Sequence, residues 1–268
     1  MDSNSLILGL VQGLTEFLPV SSSGHLGLTR AIIGSEGPVL AYDLILHIAT
    51  LLAVVIYFAT DIFYLLAEWI YGFFNKNARS WVGWRFGWAV IAGSAITAPL
   101  GVLLKPYSEA ASVNLMWLGG DFWITAILLA SVRFINVREG NLKLSNGAFV
   151  GLMQGIAVMP GISRSGATIW AGMVTGLSRG EAFRFSFLLS VPAIIGAALY
   201  EGRDLGGYGA FAAALPDGWV TGAVAAFLAG MISLILLRRL VMSEKWWILS
   251  VYCMLLGTVS VIFSIMGG

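Results

Sequence analysis

The sequence predicts an all-α polytopic membrane protein, with about six spanning helices plus two re-entrant helix pairs in inverted-topology repeats. Three observations lead there. Of the 268 residues, 58% are hydrophobic and only 11% charged, with a mean hydropathy of +0.87. A soluble domain carries roughly 25% charged residues, so a chain this poor in charge uses lipid as its outer solvent. Six apolar stretches are each long enough to span. Two further stretches, apolar at both ends and polar in the middle, are copies of one another.

The elements follow in order. Residues 5–33 form the first polar-centred stretch, broken at Leu18-Pro19-Val20-Ser21-Ser22-Ser23-Gly24. Proline and glycine interrupt a helix there. Each half is about 10–12 residues, too short for a core roughly 30 Å thick at 1.5 Å per residue. A short helix in, a turn at depth and a short helix out is the resolution, allowed only where protein or a wet cavity satisfies the broken backbone. Spans follow at 39–59, 84–104 and 113–133. The apolar stretch 62–74 holds Glu68 and several aromatics, with Asp61 just ahead of it, and reads as an interfacial helix or a helix end. Residues 147–175 form the second re-entrant pair, broken at Pro160-Gly161-Ile162-Ser163-Arg164-Ser165-Gly166. Spans at 182–200, 219–238 and 246–266 complete the chain. Asp2 stands where a signal peptide carries its positive region, and no small-residue cleavage site follows, so the first segment is expected to be retained.

A shift of 142 aligns 9–24 with 151–166 without gaps. Seven of the 16 positions are identical: Gly9/Gly151, Leu10/Leu152, Gln12/Gln154, Gly13/Gly155, Ser21/Ser163, Ser23/Ser165 and Gly24/Gly166. Membrane composition does not explain paired Gln and Ser, so the chain reads as an internal duplication. It forms a single integral membrane domain over 1–268, with repeat one at about 1–105 and repeat two at about 147–240. Charge supplies the orientation. One side of the spans carries Lys76, Arg79, Arg85, Arg133, Arg138, Lys143, Arg179, Arg184, Arg238, Arg239 and Lys245; the other carries Arg30, Lys105 and Arg203. The positive-inside rule puts the first group in the cytoplasm and both termini outside. The two re-entrant pairs then enter from opposite sides, and such repeats place their sites where broken helices meet near the midplane.

The two turns bring complementary chemistry together. Arg164 is a permanent cation at expected membrane depth, with a fork that matches phosphate bidentately. Ser163, Ser165 and Thr168 flank it as hydroxyl donors. The first turn offers Gln12 and Glu16 at i,i+4 on one helix face, followed by Ser21, Ser22, Ser23 and His25. Glu16 is a candidate cation ligand or a partner for Arg164. His25 is a candidate proton-transfer group or a helix-packing histidine. Ser22 is a nucleophile activated by His25, or a phosphate donor; one of the three serines is expected to cap the following helix. In the alignment Glu16 faces Val158, Ser22 faces Arg164 and His25 faces Ala167, so one copy holds acid, hydroxyl and imidazole and the other holds the anion anchor.

The run from Gly9 through Gln12, Glu16, Pro19 and Ser21-Ser22-Ser23-Gly24 to His25, together with Pro160-Gly-Ile-Ser-Arg-Ser-Gly-Ala-Thr168, closely resembles the undecaprenyl-diphosphatase (bacitracin-resistance) family. Similarity extends to Tyr42-Asp43 through Val54 and to Phe185 through Pro192. The family's first motif, Glu or Gln, three residues, then Glu, falls on Gln12 and Glu16. Its Pro-Gly-x-Ser-Arg-Ser-x-x-Thr motif falls on 160–168. The resemblance implies hydrolysis of undecaprenyl diphosphate to undecaprenyl phosphate and phosphate, recycling the lipid carrier for cell-wall synthesis. It also implies dependence on a divalent cation, Mg2+ or Ca2+, at Gln12 and Glu16. The functional positions carried over are Gln12, Glu16, Ser22, His25, Ser163, Arg164 and Thr168; together with the residues' own chemistry this assigns catalysis to Glu16, Ser22, His25 and Arg164, and phosphate binding to Ser21, Ser23, Ser163, Arg164, Ser165 and Thr168. The expected setting is the bacterial plasma (inner) membrane, with the site opening to the external, periplasmic side. Expected partners are a long-chain prenyl diphosphate and membrane lipids, compatible with a homodimer and without nucleic acid, which a net charge of +1 gives no reason to expect. Glutamine at Gln12 leaves one carboxylate in the motif.

Asp43 and His47, also i,i+4, are read as hydrogen-bonding within the bundle in preference to a metal or catalytic role. Asp121, inside a span, is open between locking the bundle and function. The single cysteine, Cys253, permits no intrachain disulfide. The alternative function is a prenyl-phosphate flippase on the same scaffold. That would need a phosphate anchor but no proton-transfer group, so the cluster opposite Arg164 favours an enzyme.

Overall fold

The computed structural model of the chain describes residues 3–34, 39–137 and 140–266, excluding the side chains of Val39, Asp204 and Tyr208; Arg138 of the charge pattern lies outside the described residues. All regular structure among them is helical. In chain order the helices are α1 (Ser3–Phe17), α2 (Ser22–Ile33), α3 (Val39–Tyr57), α4 (Ala59–Phe74), α5 (Val82–Ser112), α6 (Leu115–Ser131), α7 (Leu144–Ile156), α8 (Arg164–Val174), α9 (Arg179–Gly202), α10 (Tyr208–Ala213), α11 (Trp219–Met242) and α12 (Ile248–Ile265). Six are long and apolar enough to cross a membrane: α3, α5, α6 with its short 3-10 extension, α9, α11 and α12. Each lies on one of the six expected spans. Their flanks leave Leu52, Ile56, Leu103, Ile127, Leu228, Ile232 and Leu255 exposed, as a lipid-facing surface requires.

Local chemistry sets the breaks. The α1 helix stops at Phe17 because Pro19 disfavours helical backbone at the residue before it. The α7 helix stops at Ile156, ahead of Pro160 and of Gly161, whose φ is +102°. Helix α8 restarts at a serine cap, Ser163 Oγ accepting from the Gly166 N–H at 3.1 Å. Helix α2 restarts differently: Ser21 has φ +67° and ψ +100° and its side chain does not cap. Helix α4 packs across the start of α5, where Glu68 Oε2 accepts from the Gly83 N–H at 2.7 Å.

The two halves of the chain pack reciprocally. Helix α1 lies along α11 and α7 along α5; α6 pairs with α12, α3 with α9, α11 with α3 and α5 with α9. Small residues allow the closest of these approaches, as between helices in lipid. Gly9 and Gly13 of α1 rest against Gly222, Ala226 and Gly230 of α11; Gly147 and Gly151 of α7 rest against Ala89 and Gly93 of α5. A Cβ at Gly9 or Gly151 would overlap the opposite backbone. Cross-helix hydrogen bonds follow the same seams: Ser233 Oγ to the Gly13 carbonyl at 2.8 Å, and Thr97 Oγ1 to the Gly151 carbonyl at 2.9 Å. An aromatic core of Phe17, Phe58, Phe183 and Phe187 closes the inner end of α1, with Phe17 edge-on to Phe187 at 5.5 Å. Phe17 is fully buried there, which fixes the helix end that carries Glu16.

Candidate active site

The two interrupted segments meet at their turns. Ser21 Oγ accepts from the Gly161 N–H at 2.9 Å, and Pro19 lies against Gly166. The second turn is braced from α6. Thr125 Oγ1 donates to the Gly161 carbonyl at 2.8 Å and accepts from the Ser163 N–H at 2.9 Å. Gly161 is required there twice over, by its positive φ and because a Cβ would stand 2.7 Å from Asp121 Cβ.

Glu16 is the hub. It is buried, and its Oε1 accepts from Arg164 Nη2. Its Oε2 accepts from Ser22 Oγ at 2.5 Å and from Gln12 Nε2 at 3.0 Å. His47 Nε2 stands 3.8 Å from the same oxygen. The structure therefore brings together Gln12, Glu16, Ser22 and Arg164, four of the residues singled out in the sequence. The Glu16–Arg164 pairing weighed as an alternative for Glu16 is present.

The other residues take different positions. His25 shares the first turn but not this cluster. Its Nδ1 faces the Ser21 carbonyl at 2.7 Å, so that nitrogen carries the proton, and its Nε2 faces the Tyr252 hydroxyl at 2.6 Å. The ring stacks on Tyr252 at 5.6 Å and meets Phe122 edge-on. Ser22, one turn away, hydrogen-bonds to Glu16, while the imidazole is held by the Ser21 carbonyl and the Tyr252 hydroxyl. Ser23 is exposed and within 3.3 Å of Ser21 Oγ. Ser163 and Ser165 are buried with their hydroxyls 3.2 Å apart. Thr168 turns into the bundle, 2.5 Å from Ser186 Oγ and bonded to the Arg164 carbonyl.

Asp43 and His47 do form bundle contacts. Asp43 pairs with Arg30 of α2, and His47 Nδ1 donates to the Asp43 carbonyl at 2.8 Å. His47 Nε2 nevertheless points at the site. Asp121 is 7% exposed and its Oδ2 has no hydrogen-bond partner. Sequence reasoning missed Thr125 and Tyr252 and took Ser186 only as part of the stretch from Phe185 to Pro192; no local spacing ties any of the three to the turns.

Gln12 is fully buried, yet its Oε1 has no hydrogen-bond partner. An orphaned carbonyl oxygen one turn from a carboxylate suits a hard cation. Among the described residues no three His, Cys, Asp or Glu side chains cluster as ligands. A cation here would complete its shell with phosphate oxygens and water.

Comparison with known proteins then adds to the geometry. Residues 5–259 match the family model described as bacitracin resistance protein BacA. The chain is 36% identical over 274 residues to the undecaprenyl-diphosphatase of Methanosphaera stadtmanae, covering 98% of both chains. It is 38% identical over 266 residues to that of Desulfosudis oleivorans, covering 95% of this chain and 96% of the relative. Over 206 residues it is 40% identical to that of Thermobifida fusca, covering 76% and 70%.

Proposed function

The chain belongs to the bacitracin resistance protein BacA family, and we propose that it hydrolyses undecaprenyl diphosphate to undecaprenyl phosphate and inorganic phosphate. The observation that carries the mechanism is the run from Ser22 through Glu16 to Arg164 at the meeting of the two turns.

Arg164 holds the terminal phosphate once the substrate's oxygens compete with Glu16 for its fork, a bidentate match that lysine lacks. Ser22 Oγ attacks the terminal phosphorus, and its proton passes to Glu16, the acceptor of its hydrogen bond. The P–O bond to the lipid phosphate breaks, and undecaprenyl phosphate leaves. Water then displaces phosphate from Ser22, and Glu16 returns the proton to the serine oxygen. His25 orients the turn by holding the Ser21 carbonyl. The family resemblance brings a divalent cation; Gln12 and Glu16 would hold it, and it would neutralise charge on the phosphate oxygens.

This is a multi-pass membrane protein. We further infer the bacterial plasma membrane as its location, with the site open to the external side, supported by the charge asymmetry of the loops. A flippase accounts for Arg164 but not for a serine bonded to a carboxylate beside it. The test is phosphate release from undecaprenyl diphosphate by purified protein, with and without chelator. A protein that binds this lipid tightly yet releases no phosphate under any metal condition would overturn the assignment.

A further inference from the structure

His47 faces Glu16 with a nitrogen whose role the mechanism above leaves open. A carbonyl oxygen can only accept, so the 2.8 Å contact with the Asp43 carbonyl holds a proton on Nδ1 and leaves Nε2 as the nitrogen free to bind a cation. When Nε2 carries no proton it presents a lone pair toward Glu16 Oε2, 3.8 Å away. Two lone pairs facing each other at a buried carboxylate repel unless a proton or a metal cation lies between them. Metal-binding histidines share this arrangement: the other ring N–H is donated to a carbonyl or carboxylate, which fixes the tautomer and aims the free nitrogen. The support is itself anchored, because Asp43 is ion-paired to Arg30. The nearby Gln12 Oε1 is the orphaned acceptor of the same cluster. His25 also donates through Nδ1 to a carbonyl, but its Nε2 already faces the Tyr252 hydroxyl.

We propose that His47 Nε2 is a direct ligand of the divalent cation, alongside Glu16 and Gln12, an inference that rests on the cation-assisted reading above. A carboxylate has lone pairs enough to bind a cation and still accept from Ser22. An imidazole donor gives the site a different preference from one made only of oxygens. It ranks transition-metal dications above Ca2+, which takes oxygen ligands.

The chain has two histidines, so the ligand can be identified by elimination. The experiment uses the full chain in detergent, free of any histidine tag, with Mn2+ as the probe. Pulsed EPR reports a nitrogen bound directly to Mn2+. The expected result is a nitrogen signal in the wild type that persists in His25→Gln and disappears in His47→Gln. Mn2+ affinity should fall about 10-fold or more in His47→Gln, and Ca2+ affinity should fall less. Should His47→Gln fail to fold, the His25→Gln protein grown on isotope-labelled histidine contains His47 as its sole imidazole. Its nitrogen signal must then change with the label. Mn2+ binding that Glu16→Gln abolishes but that never shows an imidazole nitrogen overturns the His47 assignment and leaves the cation reading standing. Absence of any Mn2+, Mg2+ or Ca2+ binding dependent on Glu16 removes both.

Discussion

Glu16 and Arg164 are 148 residues apart in sequence and meet as an ion pair, Glu16 buried and Arg164 partly buried, at the join of the two interrupted segments. Each is the other's charge partner, and Arg164 is also the proposed phosphate anchor. Breaking a buried pair from one side strands a charge and costs about 3–5 kcal/mol. Glu16→Gln should therefore abolish phosphate release and also lower the unfolding temperature in detergent. Removing both charges, in Glu16→Gln with Arg164→Gln, should recover most of the stability and none of the activity. Additive losses of stability in the double variant would show that the two charges do not depend on each other.

Arg164→Lys keeps the charge beside Glu16 and loses the planar fork. It should fold with near wild-type stability and retain a small fraction of turnover, a loss of the order of 10²-fold or more. Steady-state phosphate release decides; turnover close to wild type would exclude a bidentate clamp.

Tyr252→Phe keeps the ring stacked on His25 and deletes the hydroxyl that faces Nε2. A lost hydrogen bond of this kind is worth about 1 kcal/mol, so the tilt of the first turn should loosen. The expected effect is a several-fold fall in kcat with KM little changed, and a larger fall for His25→Ala. If Tyr252→Phe matches wild type in both constants, His25 does not depend on that hydroxyl for its orientation.

Much of this arrangement was legible in the sequence. Apolar length gave the six spans, and Pro19 and Pro160 with Gly161 gave the interrupted pairs, because local backbone chemistry decides both. Gln12, Glu16, Ser22 and Arg164 were identified by motif, and the structure gathers them. What local spacing could not show is direction across helices. His25 and Ser22 share a face by their i,i+3 spacing, yet the imidazole is held by the Ser21 carbonyl and by Tyr252 of α12. His47 looked like a bundle contact because its i,i+4 partner is real; its second nitrogen reaches the site only through the crossing of α1 and α3.

Gly161→Ala should be destructive while Gly120→Ala should be silent. At Gly161 the φ of +102° excludes a side chain, and a Cβ would meet Asp121 Cβ at 2.7 Å and the Leu118 carbonyl at 2.8 Å. Strain of this kind costs about 1–3 kcal/mol and displaces the turn that carries Arg164. At Gly120, on the same helix as Asp121, nothing lies within 4 Å of an added Cβ. Activity and thermal unfolding of the two variants provide the comparison; equal behaviour would show that the second turn tolerates movement.

The orientation can be read from Val113, 87% exposed between α5 and α6. In a Cys253→Ser background, Val113→Cys should react with an impermeant thiol reagent added to intact spheroplasts. Labelling that requires lysis would reverse the topology inferred from the loop charges.

The reciprocal packing of α1 on α11 and α7 on α5 has a consequence for biogenesis. The first helix leaves the ribosome with its seam unfilled. Ser5 bonds to the Asp217 carbonyl and Gly13 to Ser233, partners 212 and 220 residues further along the chain. Domains fold as units while synthesis proceeds from the N-terminus, but here α1 finds only its contacts with α2 and α3 before its main partner, α11, is made. The segment bearing Gln12, Glu16 and Ser22 must wait, in lipid or in the insertion machinery, until the eleventh helix is made. A nascent chain released before that point carries every residue of the first motif and no assembled seam to hold them.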